Sequence, residues 1–127
     1  MKKYMRIQGH EYSYATGKPT GMFSLCHRRV NSGVFSEEDT KLFHETNQLF
    51  KENLIEPEFY ADGNTVRGIT WLKTENFEPF REKTAVITGL LDKYKIPYDE
   101  VYTDYVGEII YEDEYQVGAV DCPNYRG

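Results

Sequence analysis

Apolar residues between positions 77 and 94 recur at helical spacing, and this pattern constrains the fold more than any other feature of the sequence. Successive members are three or four residues apart and share one helical face: Phe77, Phe80, Thr84, Ile87, Leu91 and Tyr94. Ile96 precedes Pro97, and a residue before proline avoids the helical conformation, so the helix is predicted to end there. Such a helix needs a second layer to cover its apolar face.

Two further helices are predicted in the first half of the chain. The first is expected to hold Pro19 in its first turn, to bury Met22, Phe23, Cys26 and Val30, and to stop at residues 31–33. The second is expected to begin after an N-cap at Ser36 and to bury Leu42, Phe43, Thr46, Leu49, Phe50 and Leu54. The short connection between them predicts an antiparallel helical hairpin.

Four segments carry the composition or alternation typical of strands. They are residues 3–9, 66–73, 99–105 and 108–120, with the last two forming a hairpin around Val106-Gly107. The predicted fold is α+β, a two-layer sandwich with an antiparallel or mixed sheet of about four strands and the helices on one face. The predicted order is β-α-α-β-α-β-β. Residues 1–127 are expected to form a single domain with a loosely held tail at 121–127.

Charge is distributed unevenly along the 127 residues. The net charge is −6, but residues 1–31 carry six basic groups and one acid, whereas residues 96–127 carry one basic group and eight acids. Six of the eleven tyrosines lie in that last segment. Two interpretations stay open: the two segments neutralise each other in the fold, or they face different partners.

Several classes of protein are disfavoured by the composition. No apolar run reaches the length of a membrane span, no signal peptide is visible, and two cysteines cannot make a disulfide framework, so a cytoplasmic protein is predicted. The three histidines, His10, His27 and His44, lack zinc-like spacing, so neither a metal nor another cofactor is expected. A pI near 5.1 makes direct binding of nucleic acid an unfavourable hypothesis.

Cationic residues form the first candidate site. Lys18 lies in a glycine-rich segment before the first predicted helix, and Arg28 and Arg29 are adjacent on it. Arginine matches phosphate or carboxylate groups, although salt bridges to the acidic helix that follows are the plainer interpretation. Arg67 and Trp71 are predicted on one strand face, where they suit a nucleotide if that face is open.

The second candidate site is the acidic, tyrosine-rich segment around Asp113. In a continuous strand Tyr111, Asp113 and Tyr115 share one face, and Glu112 and Glu114 point the other way. Three interpretations remain: a structural Asp113 paired with the tyrosines or an arginine, a tight turn at Glu112-Asp113, or a ligand-binding or catalytic carboxylate.

Three functions follow from these sites. The leading hypothesis is a small non-enzymatic interaction protein whose acidic C-terminal surface binds, and in its sharpest version inhibits, a partner with a basic surface. Small phage-type defence inhibitors offer an analogy of size and charge. The alternatives are a binder of a nucleotide or other small anion through Lys18, Arg28 and Arg29, and a small enzyme centred on Asp113. A homodimer is compatible with each.

Overall fold

The computed structural model describes residues 1–13, 16–60, 63–64 and 66–120. Within them lie three α-helices: α1 (Met22–Asn31), α2 (Glu37–Lys51) and α3 (Arg81–Lys93). The six strands are β1 (Tyr4–Tyr12), β2 (Pro19–Gly21), β3 (Ile69–Lys73), β4 (Tyr98–Thr103), β5 (Glu108–Glu112) and β6 (Gln116–Val120). The α+β prediction is confirmed, whereas the strand number and order differ from the prediction. None of the described helices is long and apolar enough to cross a membrane.

Every strand pairing in the sheet is antiparallel. β1 pairs with β4 on one side and, on its other side, with β3 near its start and β2 near its end. β6 joins β3, and β5 joins β6 at the end of the sheet. β4 and β5 lie at opposite edges, yet only residues 104–107 connect them. Since four strand spacings amount to roughly 19 Å, so short a link requires the sheet to curl.

The curled sheet separates two apolar clusters. The larger one lies between the sheet and the helices and contains Met5 and Ile7 from β1, with Leu25, Phe43 and Leu91 from α1, α2 and α3. The smaller one covers the other face and contains Ile69, Trp71, Val101, Val106, Val117 and Ala119. Because Val106 lies in the link between β4 and β5, that link closes over the second cluster.

Close packing between β1 and α1 depends on a residue without a side chain. A Cβ atom built on Gly9 would lie 2.6 Å from the side chain of Leu25, which is fully buried. A larger residue at position 9 would therefore force the buried Leu25 side chain to move and would disturb the packing of α1 on the sheet.

The helix predictions hold best. Ser36 caps α2 by accepting a hydrogen bond from the Asp39 N–H at 3.0 Å. All six predicted core positions from 77 to 94 are buried or partly buried, but α3 begins only at Arg81, so Phe77 and Phe80 precede it as the N-cap and the last residue of a short 3-10 helix. Two positions of the α2 stripe are wrong, because Leu42 and Leu49 are about two-fifths exposed. Only one side of α2 is covered, and these two residues lie at the margin of that side.

The strand predictions need three corrections. Pro19 belongs to β2, where it pairs with Tyr12, and α1 starts only at Met22. The predicted strand 66–73 begins at Ile69. The predicted hairpin of 99–105 with 108–120 is wrong, because β4 pairs with β1 and the segment 108–120 itself folds back into β5 and β6. The predicted tail at 121–127 lies outside the described residues.

Candidate functional site

The two adjacent arginines of α1 converge on one carboxylate of β1. Arg28 donates to Glu11 Oε1 at 3.0 Å and to the Tyr12 carbonyl at 3.0 Å. Arg29 donates to both oxygens of Glu11, in one case at 3.1 Å. These hydrogen bonds lower the pKa of Glu11 from 4.5 to about 2, and the bond from Arg29 is the largest cause. Burial acts in the opposite direction but is outweighed. The expected salt bridges to α2 and to Asp113 are absent among the described residues.

A third arginine, which the sequence did not single out, joins two strands. Arg6 donates to the carbonyl oxygens of Pro19 and Thr70, each at 3.0 Å, and to the side-chain oxygen of Gln8 at 3.2 Å. Since Pro19 lies in β2 and Thr70 in β3, Arg6 spans the point where these strands meet the same side of β1. It fixes a guanidinium group beside the start of α1.

The other predicted cationic and aromatic residues do not assemble. Arg67 lies in a turn before β3 with φ of 58°, so it does not share a strand face with Trp71. Trp71 is 1% exposed and packs in the smaller cluster, so its ring is not an open stacking surface on an exposed strand face. Lys18 is half-buried in the segment before β2, and none of the described residues forms an ion pair with its side chain.

Asp113 forms a turn, which was one of the three open interpretations. Its carboxylate accepts hydrogen bonds from the Tyr111 hydroxyl at 2.6 Å, the Tyr115 N–H at 2.9 Å and the Gln116 N–H at 3.0 Å. The Asp113 N–H donates to the Gln116 carbonyl at 2.9 Å and closes the loop between β5 and β6. Burial raises the pKa of Asp113, but the Tyr111 and backbone donors outweigh it, so the pKa is lowered.

The neighbours of Asp113 also have structural partners. Glu112 accepts from Lys73 Nζ at 2.6 Å, and Tyr115 packs edge-on against Phe80 with ring centres 5.1 Å apart. Glu114 is exposed, and its carbonyl oxygen accepts from the Asn76 side chain at 2.6 Å. The structure therefore brings Tyr111 to Tyr115 together as a hairpin turn, with most of their polar groups already engaged.

The exposed surface of this hairpin lies along its first strand, β5. Within the part of the chain that the structure describes, β5 is the last strand of the sheet and pairs only with β6, so no described strand covers its outer edge. Ile109 and Ile110 are 40% and 43% exposed, between the exposed residues Glu108 and Glu112. The register shifts between Ile109 and Tyr111, which makes Ile110 an extra, bulged residue. We refer to Glu108–Glu112 as the acidic edge.

Sequence reasoning missed the acidic edge because a bulge changes which side chains face outward. In an unbroken strand, Ile109 and Ile110 would point to opposite faces, and one of them would be buried. A signal was nevertheless present, since two adjacent isoleucines flanked by glutamates do not fit strict alternation. Sequence spacing alone does not locate a bulge.

The described cysteine and histidine side chains are poorly placed to act as a nucleophile or to bind a metal ion. Cys26 is fully buried, and burial raises the pKa of its thiol from 9.0 to about 12 even though nearby Arg29 opposes this, so it is a poor nucleophile. His27 packs against Phe43, and burial together with His44 and Lys51 lowers the pKa of its ring. Among the described residues, no three His, Cys, Asp or Glu side chains form a group that could hold a metal ion.

Comparison with protein-family models, curated proteins and solved structures finds no match.

Proposed function

We propose that this chain is a non-enzymatic binding protein whose acidic edge pairs with an extended, basic segment of a partner protein. The observation that carries the proposal is the outer edge of β5, which no described strand covers, with half-exposed Ile109 and Ile110 between exposed glutamates. A free edge offers backbone hydrogen bonds to an added strand, and exposed apolar side chains add contact area. This mode of recognition requires no catalytic group.

Charge favours a basic partner over a second copy of the chain. Two acidic edges paired antiparallel would place Glu108 of one near Glu112 of the other, and like charges across a strand pair are destabilising. Lysine or arginine on an added strand would instead lie beside Glu108 and the half-exposed Glu112.

A random 12-residue peptide library displayed on phage tests the proposal, with selected peptides labelled for fluorescence anisotropy. We expect peptides in which basic and apolar residues alternate, with binding that weakens as salt rises. Glu108→Lys should weaken binding about tenfold, a change of about 1.4 kcal/mol. The matched control is Glu82→Lys, which makes the same charge change at an exposed position of α3. Its binding should match that of the unmodified protein.

Three results would contradict the proposal. The first is a selection that enriches no basic peptide. The second is equal loss of binding in Glu82→Lys and Glu108→Lys, which would show a general effect of charge instead of a local contact. The third is a concentration-dependent dimer that Ile110→Lys dissociates, which would assign the edge to self-association.

A further inference from the structure

Two adjoining hollows lie beside the start of α1 and share Arg6, Gly21, Ser24 and Tyr60 in their walls. The first, which we call the apolar hollow, has a volume of about 350 Å³ and is lined mainly by Met5, Met22, Leu54, Trp71 and Leu72. The second, the polar hollow, has a volume of about 440 Å³. Both volumes fall within the range of small-molecule sites in proteins.

Hydroxyl, amide and guanidinium groups dominate the polar hollow. Its wall includes Ser13, Thr16, Thr20, Asn31, Asn64 and Arg28 in addition to the four shared residues. None of its described lining residues is acidic. The apolar hollow does contain a carboxylate, Glu56, so a negative group is better accommodated in the polar one.

One buried hydroxyl in that wall lacks a partner. Thr20 is 2% exposed, and its side-chain oxygen makes no hydrogen bond with any residue that the structure describes. Leaving a buried hydroxyl without a hydrogen bond costs roughly 1–3 kcal/mol, so such groups are typically paired in native proteins. Thr20 lines the polar hollow, and a turn of its side chain to another rotamer would bring the hydroxyl to a ligand there, which would supply the missing partner.

The start of α1 adds a second feature suited to an anion. This helix has ten residues, and no side chain caps its first N–H groups. Gly21 and Ser24, which flank those groups, line both hollows. Uncapped N–H groups and the positive end of the helix dipole favour phosphate. Arg6 is held beside them by its bonds to Pro19 and Thr70.

The wall of the cavity is also well anchored opposite α1. Phe59 packs over Gly68 and Gly118 so closely that a Cβ on Gly118 would lie 2.5 Å from its ring. The adjacent Tyr60 lines both hollows, with its hydroxyl 3.4 Å from that of Thr70. A ligand therefore meets a pre-formed border between the apolar and the polar half.

We propose that this double cavity binds a small phosphate monoester with a flat, largely apolar body. The phosphate would lie in the polar hollow, against the start of α1, Arg6 and Thr20, and the body would occupy the apolar hollow. Mononucleotides have this chemistry. The site is separate from the acidic edge, so either can fail without the other.

Titration of the isotopically labelled protein with AMP, adenosine and inorganic phosphate, followed by amide chemical shifts, tests the proposal. We expect AMP to shift the amides at the start of α1 and to bind at least about tenfold more tightly than either fragment. Failure of AMP to shift these amides at about 5 mM would overturn the proposal. Equal affinity for phosphate and AMP would overturn the role of the apolar hollow.

Two variants and a matched control make the test specific. Thr20→Val removes the unpartnered hydroxyl at nearly constant volume, so it should weaken AMP binding about fivefold without lowering thermal stability. Thr84→Val is its control, because Thr84 is the other buried threonine of which the hydroxyl has no described partner, and it lies in α3 outside both hollows. It should leave AMP binding unchanged.

Ser24→Glu places a negative charge in the first turn of α1, where it suits the helix dipole and repels a phosphate. We expect a folded protein that no longer binds AMP. Undiminished AMP binding by Ser24→Glu, or equal weakening by Thr20→Val and Thr84→Val, would place any bound nucleotide elsewhere.

Discussion

Glu11 and Asp113 are both held as carboxylates, but by opposite means. Two arginines approach Glu11, whereas a tyrosine hydroxyl and two backbone N–H groups approach Asp113. The pKa is lowered in each case, to about 2 for Glu11. The ion pairs of Glu11 join β1 to α1. The hydrogen bonds that Asp113 accepts from neutral donors fix the shape of one turn. Stabilisation by charge is weakened by salt, and stabilisation by neutral donors is not.

The largest effect is expected at the turn. Asp113→Ala removes the acceptor of four hydrogen bonds and leaves the N–H groups of Tyr115 and Gln116 without it, which should lower the free energy of unfolding by about 2 kcal/mol. Asp113→Asn keeps an oxygen for the two N–H groups and should lose less. Urea unfolding measures both, with Glu114→Ala as the control. A loss that shrinks markedly at about 1 M salt would contradict the neutral-donor account.

An intermediate effect is expected at Glu11. Because its side chain is more than a third exposed, Glu11→Gln should cost only about 1 kcal/mol of unfolding free energy at neutral pH. Folding lowers this pKa, so the contribution is complete above pH 4.5 and is lost as the pH falls towards about 2. Urea unfolding of both proteins at several pH values should give curves that converge in acid and at high salt. A constant difference across that range would refute the ion-pair account.

The smallest losses of unfolding free energy are expected from substitutions of Arg28 and Arg29, and they should differ from each other. Arg29 makes two hydrogen bonds to Glu11 and is 20% exposed, whereas Arg28 makes one and is 36% exposed. Arg29→Met should therefore destabilise by about 0.7 kcal/mol and Arg28→Met by about half of that. Combining each with Glu11→Gln in a double-mutant cycle isolates the pairwise energies. Equal coupling energies would show that burial does not distinguish the two contacts.

The difference between local and long-range contacts explains which features the sequence predicted. The helical stripe from 77 to 94 and the Ser36 cap depend on residues three or four positions apart, so local spacing was sufficient. Strand pairing is not local, and the alternation of Tyr111, Asp113 and Tyr115 has the same form in a strand and in a turn with an aspartate at its corner. The alternation is therefore present in the sequence, but the prediction of one continuous strand from 108 to 120 was wrong.

The candidate sites were predictable to a similar degree. Arg28 and Arg29 stood out as a dense positive pair, but their partner Glu11 lies on another element, and only the three-dimensional arrangement selects it. Arg6 gave no signal, because a single arginine in a strand is unremarkable until two carbonyl oxygens converge on it. The charge gradient was real, and its two ends meet where Lys2 pairs with Asp104 at 3.5 Å.

The pairing of β1 with β4 has a consequence for how the chain reaches its fold. Tyr4 pairs with Thr103, and the Lys3 N–H bonds to Asp104, 101 positions later. β1 is also the strand on which β2, β3 and β4 all assemble. During synthesis, Met5 and Ile7 must remain without their β4 neighbours until the segment Tyr98–Thr103 has left the ribosome. Such long-range closure slows folding, and loss of the residues after position 97 would remove an entire side of the central strand.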